Sequence, residues 1–443
     1  MDDRYELVDR NIPWLGNIPR HWLTSRIKYL HRQTGDSFID GDWIESPQIV
    51  DDGIRYITTG NVGEGRFKFQ GSGHITDTTF RELNCTEVFP GDLLISRLSP
   101  PVGRSCIVPD LGKRIVTSVD NVIIRLKDNL DKHFYNYLFN SKNSYENTST
   151  LSRGTTLTRI SRSMLGDIET IIPPLDEQRL ISRYLDKKTQ QIDTLIEKIE
   201  KKIELLKEQR TSRINHYVTK GLDPNVEMKD SGVEWIGKIP KHWEVTKLKY
   251  LVSYNDSVLT EDTNPNYQFH YIEISDVDYI DGIKLTDKTI FSESPSRARR
   301  IVQPNDVIIS TVRTYLRAIG VVPNKSDIIC STGFCVLRDN SGKLDQQFLS
   351  YIVKANWFIS RVISESFGVS YPAINASALV ELEVLLPPLD EQREICSFIQ
   401  SRLKVSEAQI AHEKRRVSLV SEYRQSLISS VVTGKVRVTE DMV

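Results

Sequence analysis

The chain has 443 residues, 39% of them hydrophobic and 26% charged, a length at which one core stops growing and the chain divides into two or more domains. A formal net charge of -1 offers no general attraction to nucleic acid, so any DNA binding must come from local basic faces or partner subunits. No run of about 18 apolar residues is present to span a bilayer, and the acidic start Met1-Asp2-Asp3-Arg4 lacks the basic and apolar regions of a signal peptide, so a cytoplasmic location without membrane association is expected.

In chain order, the first distinctive segment is Trp14-Leu15-Gly16-Asn17-Ile18-Pro19-Arg20-His21-Trp22, whose tryptophans read as anchors of a domain edge rather than as base-stacking residues. Short apolar or alternating runs follow, Asp92 to Ser96 and Asn121 to Leu126, punctuated by Gly, Pro, Asn and Asp as strands and loops are. A helical pattern at His133 to Asn140 interrupts them, which makes the segment mixed α/β. After Pro173-Pro174 the pattern changes. Ile181, Leu185, Ile192, Leu195, Ile196, Ile199, Ile203 and Leu206 recur three or four apart, with Lys and Glu between them, until Gly221. That spacing predicts one long amphipathic helix, with Pro at its start, Asp176 and Glu177 at the positive end of the dipole, and Lys220-Gly221 as its stop.

The same order then recurs. Trp235-Ile236-Gly237-Lys238-Ile239-Pro240-Lys241-His242-Trp243 repeats the first segment at an offset of 221. Strands are expected at Asp306 to Ser310 and Gly333 to Leu337, and a helix at Gln346 to Ala355. A second long helix is expected from about Asp390 to Thr433, with Ile395, Ile399, Leu403, Ile410, Val417, Val420, Leu427 and Ile428 on its apolar stripe. PPLDEQR stands at Pro173 to Arg179 and at Pro387 to Arg393, an offset of 214 that also aligns Pro90-Gly91-Asp92-Leu93-Leu94-Ile95-Ser96 with Pro304-Asn305-Asp306-Val307-Ile308-Ile309-Ser310. So long a period means duplicated whole domains. The expected architecture is two mixed α/β (α+β) domains, residues 1–172 and 223–386, separated by long-helix regions at 173–222 and 387–443. The two helices are expected to pack as an antiparallel coiled coil, relating the halves by a pseudo-twofold axis. A helix of about 44 residues is about 66 Å long, and an apolar stripe of that length needs a partner. Such a rod could set two reading heads on half-sites separated by turns of DNA, about 34 Å each, or hold two protein-binding heads as a scaffold.

A GNIPRHW or GKIPKHW segment, a PGDLLIS-like strand and PPLDEQR leading into a long helix, all duplicated, resemble type I restriction-modification specificity subunits along essentially the whole chain. The resemblance implies two target recognition domains, each reading one half of a bipartite double-stranded DNA site. It also implies helical regions that form the spacer and dock modification subunits. Methyl transfer, translocation and cleavage would then belong to the modification and restriction subunits, and this chain would be a non-catalytic partner without a cofactor.

DNA-facing residues should be Arg, Lys and small polar residues in loops. After the first PGD strand come Arg97 and Arg104; the second copy offers Arg313, Tyr315 and Arg317. Upstream of each long helix, Arg153, Thr155, Thr156 and Arg159 match a segment carrying Ser370 and Tyr371. Arg297, Arg299 and Arg300 form a candidate phosphate clamp. Each arginine taken singly is also explained as a solvated or salt-bridged surface residue. Glu177, Gln178, Glu391 and Gln392 could contact a modification subunit, but capping and dipole interactions at a helix start explain them as well and are preferred here.

An enzymatic reading finds little support. Asn264-Pro265-Asn266-Tyr267 superficially resembles the signature of amino-methyltransferases, but no Gly-rich cofactor loop or Walker lysine loop accompanies it. Cys85, Cys106, Cys330, Cys335 and Cys396 lack the paired spacings of zinc sites and read as buried free thiols, and no metal site is expected.

Overall fold

The computed structural model describes all residues except 1–4, 33–36, 72, 99, 155–156, 280–281 and 369–370. The chain forms two compact units, residues 1–200 with 414–443, and residues 201–413. Both are built on the same plan.

In the first unit an antiparallel sheet runs in the order Phe38–Asp40, Asn121–Ile124, Leu93–Ser96, Ser105–Ile107. Successive residues of a strand face opposite sides, and here both sides are covered. Leu93, Ile95, Val122 and Ile124 enter a core shared with the helices, while Leu94, Cys106 and Ile123 enter a second core against another sheet. Burial on both faces explains why these strands are continuous apolar runs. The other sheet runs His74–Ile75, Ile54–Ile57, Ile115–Thr117, Glu87–Val88, with its middle pair parallel.

The second unit repeats this arrangement. One sheet runs Val252–Tyr254, Phe334–Asp339, Val307–Ser310, Ile319–Val321, and the other Lys288–Ile290, Gln268–Ile272, Ile328–Ser331, Ala298–Ile301, again with a parallel middle pair. Val307 and Ile309 face the helical core and Ile308 the core between the sheets. The duplicated Pro-Gly/Asn-Asp has a local cause. Gly91 and Asn305 take left-handed backbone, φ 93° and 71°, and each following aspartate closes the turn on a backbone N–H, Phe89 at 2.9 Å and Gln303 at 2.7 Å. Arg125 and Arg338 then neutralise the two carboxylates, at 3.2 and 2.6 Å.

The long helices run Leu175–Lys220 and Leu389–Val432, within a residue or two of the bounds read from periodicity. In the first unit Asp193 pairs with Arg424 at 2.8 Å. In the second, Lys202 pairs with Glu413 at 2.6 Å, Arg210 with Glu407 at 3.8 Å, and the Tyr217 and Phe398 rings meet at 5.0 Å. Partner numbers fall as helix numbers rise, so the helices pack antiparallel, and the 214-residue offset carries Asp193 to Glu407 and Arg210 to Arg424. The stripe is well buried at Ile181, Leu185, Ile192, Ile199 and Ile203, but Leu195 is exposed. Among the described residues no helix is long and apolar enough to cross a membrane, and all five cysteines are buried and free.

The two sequence motifs that recur most faithfully are bonded to each other. Strand Leu23–Arg26 pairs with Glu169–Ile172, and Glu244–Lys247 with Glu383–Leu386, which brings each Trp-containing segment beside its helix start. There Glu177 accepts from Trp22 Nε1 at 2.9 Å and meets His21 Nε2 at 2.7 Å, and Glu391 meets His242 Nε2 at 2.7 Å. Gln178 and Gln392 are fully buried. The Gln178 amide donates to the Pro173 carbonyl at 2.7 Å and accepts from Asp131 N–H at 2.8 Å. Gln392 donates to Pro387 and Lys343 and accepts from Asp345 N–H. Of the four residues weighed as contacts to a modification subunit, Gln178 and Gln392 are corrected, since they have no surface to offer; Glu177 and Glu391 are partly exposed and tied to the Trp-containing segments.

Replacing Gln178 by Leu strands the Asp131 N–H and the Pro173 carbonyl in a buried setting, and should lower the stability of the full chain by about 2–4 kcal/mol, read from denaturant-induced unfolding. A loss below about 0.5 kcal/mol, the range of ordinary surface substitutions, would show that the amide does not secure the helix start.

Candidate nucleic-acid interface

In the first unit the loop after Leu93–Ser96 lies against the loop that precedes the long helix. Leu98 and Arg153 each bridge to Arg159, and Ile160 N–H donates to the Arg97 carbonyl at 3.1 Å. Arg153 is exposed. Arg159 is half-exposed, with Nη2 2.8 Å from Asp120 Oδ1. Thr155 and Thr156 lie outside the described residues.

Arg97 and Arg104 are placed otherwise than expected. Arg97 is only 5% exposed, with Nε 3.2 Å from Asp40 Oδ1 and Nη2 donating to the Val119 carbonyl at 2.5 Å. Arg104 is 8% exposed. Its guanidinium donates to the carbonyls of Val62 at 2.8 Å, Leu98 at 2.6 Å, Thr59 at 2.9 Å and Pro101 at 3.0 Å. Burial pulls the pKa of both below the ordinary arginine value, opposed at Arg97 by Asp40. The expectation that these two face DNA is corrected on the ground of burial: the Arg104 donors are taken by buried carbonyls, which leaves nothing for a base edge, and Arg97 is enclosed beside Asp40, its Nε buried without a hydrogen-bond partner. They are the frame beneath the loops.

The second unit joins the corresponding loops and leaves more of their side chains outside. Val312 and Phe367 each bridge to Ala373, Arg313 N–H donates to the Pro372 carbonyl at 2.7 Å, and Ile374 N–H donates to Thr311 at 2.9 Å. Arg313 and Arg317 flank the short turn Thr314–Leu316 and both take left-handed backbone, φ 51° and 54°. Non-glycine residues there cost on the order of 1–3 kcal/mol each and concentrate where a loop must present a fixed shape. Arg313 stacks on the Tyr371 ring at 4.7 Å, Arg317 lies over Tyr279 at 5.8 Å, and Tyr315 is exposed. Ser370 lies outside the described residues.

Arg297, Arg299 and Arg300, the candidate phosphate clamp, lead into different surroundings. The Arg297 carbonyl accepts from Thr332 N–H beside the Gly333 that holds Thr311. Arg299 turns to the Phe291 ring and to Glu261 at 3.5 Å, and the Arg300 Nε is buried without a partner. Asn264 to Tyr267 forms a turn in which Tyr267 N–H donates to the Asn264 carbonyl.

One element escaped the sequence reading. Gly63 to Gln70 forms a hairpin closed by a Val62–Phe67 bridge and by Gly63 N–H donating to the Arg66 carbonyl. It stands beside the other loops because Arg104 grips the Thr59 and Val62 carbonyls and Gly65 N–H donates to Ser105. Its signal, the alternation Arg66-Phe67-Lys68-Phe69, was present but is too short to stand out in a chain of this composition.

Residues 39–205 and 240–415 each match the family model described as the type I restriction modification DNA specificity domain. The chain belongs to the type I restriction-modification specificity family. Specificity-subunit relatives span most of it. The type I restriction enzyme MjaVIII specificity subunit of Methanocaldococcus jannaschii is 24% identical, over 74% of this chain and 76% of its own length. The StySPI specificity subunit of Salmonella potsdam is 23% identical, over 95% and 90%. A solved chain from work on complex assembly and conformational transition of the type I R-M system shares the fold, with a TM-score of 0.66 and 14% identity, covering 94% of this chain and 98% of that one.

The contrast between buried and exposed arginines is measurable. Arg104→Ala strands several buried carbonyls and should cost about 2–4 kcal/mol in stability. Arg104→Lys should recover little of it, because one ammonium cannot reproduce the guanidinium fork. Arg153→Ala should leave stability within about 0.5 kcal/mol of the parent. Equal unfolding midpoints for Arg104→Ala and the parent would remove Arg104 from the frame.

Proposed function

We propose that this chain is the non-catalytic, DNA-reading subunit of a type I restriction-modification complex. Residues 1–172 and 223–386 are its two target recognition domains, each reading one half of a bipartite site. The helical regions 173–222 and 387–443 set the spacing and dock modification subunits. Its partners are double-stranded DNA and the modification and restriction subunits. Methyl transfer and cleavage lie with those subunits, and this chain carries no cofactor.

The observation that carries the reading is the repetition of one loop arrangement with different loop contents. In both units the loop after the central strand is bridged to the loop before the long helix, yet one presents Arg153 and Arg159 while the other presents Arg313, Tyr315, Arg317 and Tyr371. Equivalent frames with unlike side chains are what two readers of unlike half-sites need. The names of the relatives, all specificity subunits, agree with it.

Exchanging residues 1–172 for the same domain of a relative should change one half of the methylated sequence in a host-genome map and leave the other half intact; simultaneous change of both halves defeats the modular reading. Arg159→Ala should weaken one half-site and Arg313→Ala the other, each by roughly 1–3 kcal/mol if a bidentate base contact is lost.

The helix is tested separately. Four helix-forming residues inserted near Lys201 lengthen the rod by about 6 Å. With DNA rising about 3.4 Å per base pair, the unread gap should grow by one or two base pairs. An active complex that keeps the original gap would take spacing away from this helix.

A further inference from the structure

We propose that the hairpin Gly63 to Gln70 is a third DNA-contacting loop of the first domain, in which the Phe69 ring packs against a base-pair step while Arg66 and Lys68 hold the flanking phosphates. The inference rests on the reading that this domain binds one half-site, and it adds a contact that the second domain does not share.

Phe69 is 80% exposed, and the backbone that carries it is tied down. Asn61 Nδ2 donates to the Lys68 and Gln70 carbonyls at 3.0 and 2.8 Å, Arg55 donates to Gln70, Gly71 and Gly73, and Gln70 Nε2 donates to Gly60 at 2.6 Å. Beneath it Phe67, packed against the core between the sheets, meets Phe69 edge to face at 5.2 Å. A loose loop could fold such a ring onto the protein; this one holds it outward. Apolar side chains presented in this way act as wedges at base steps, and their ring faces stack without regard to sequence.

The surroundings suit a polyanion. Arg66 and Lys68 are exposed, and among the described residues neither makes an ion pair, while Glu64 is the one carboxylate between Gly63 and Gln70. Through Arg104 the hairpin shares its support with the carbonyls of Leu98 and Pro101, so a duplex lying there reaches it.

The second unit builds the same feature without an outward ring. Thr58 and Asn61 close a capping box before the first hairpin, and Glu273 and Asp276 close one before the strands Val277–Asp278 and Gly282–Ile283. There Asp276 stands where Asn61 does and its carbonyl accepts from Lys284 N–H as that of Asn61 accepts from Lys68 N–H, but Leu285, in the place of Phe69, packs against the core between the sheets, and the aromatic Tyr279 is half-buried, its hydroxyl donating to the Lys354 carbonyl at 2.7 Å.

The test uses the full chain assembled with its modification subunits and a duplex carrying the mapped split site, with 2-aminopurine placed in turn at positions within and beside the first half-site. Binding of the parent should raise 2-aminopurine fluorescence at one step, the mark of an unstacked base. Phe69→Ala should abolish that rise and weaken binding about 5- to 100-fold, the span of one lost stacking contact, without altering salt dependence or contacts at the second half-site. Phe69→Trp should keep both signals. The double variant Arg66→Ala, Lys68→Ala should instead lower the slope of log affinity against log salt by about one to two. Unchanged affinity and fluorescence in Phe69→Ala overturn the inference, and so does a loss confined to assembly with the modification subunits, which would make Phe69 a protein contact. Arg159→Ala in the same assay separates the two levels. A first half-site weakened by Arg159→Ala but not by Phe69→Ala removes only the hairpin; one indifferent to Arg153→Ala, Arg159→Ala and Phe69→Ala together removes the reading of this domain as well.

Discussion

A buried glutamine amide at the start of each long helix fixes where that helix leaves its domain. Gln178 and Gln392 bond backbone groups on two sides, the proline carbonyl that precedes the helix and the N–H of Asp131 or Asp345 at the start of a short helix in the domain. A buried amide is costly unless every group is paired, so the arrangement tolerates little rotation. The preceding glutamate adds a second tie, to His21 and Trp22 in one copy and to His242 in the other. A helix start held on two sides keeps a fixed direction relative to its own domain.

From that seat the loops follow. The central strands Leu93–Ser96 and Val307–Ser310 are buried on both faces, which leaves their ends as the places where the chain can vary without disturbing a core. Each strand end delivers a loop, and each loop is bridged to the segment that precedes the long helix. One frame thus carries both the paired loops and the start of the long helix in each unit.

The two copies differ most where the frame ends. In the first, Arg97 and Arg104 are drawn inside, opposite Asp40 and the carbonyls of Thr59, Val62, Leu98 and Pro101. The second spends left-handed backbone on Arg313 and Arg317 and keeps a guanidinium stacked on the exposed Tyr371. The Trp243 Nε1 is buried without an acceptor, while its counterpart in Trp22 donates to Glu177. The repeat therefore preserves architecture and releases surface chemistry.

The duplication, the two long helices with their bounds, the mixed α/β character of the domains and the specificity family were all legible in the sequence, because each is written in local order: identical heptapeptides in register, apolar residues three or four apart, Pro-Gly-Asp before an apolar run. Which arginines reach the surface was not. Arg97, Arg104, Arg153 and Arg159 look alike as letters, and their separation into frame and face depends on Asp40, Asp120 and the carbonyls of Thr59 and Val62, tens of residues distant. The same holds for Glu177, to which strand pairing between Leu23–Arg26 and Glu169–Ile172 brings His21 and Trp22, and for Gln178, whose partner Asp131 lies 47 residues away. Periodicity records which face of an element is buried; only tertiary structure decides which polar group is paired, since that depends on partners that sequence distance does not encode.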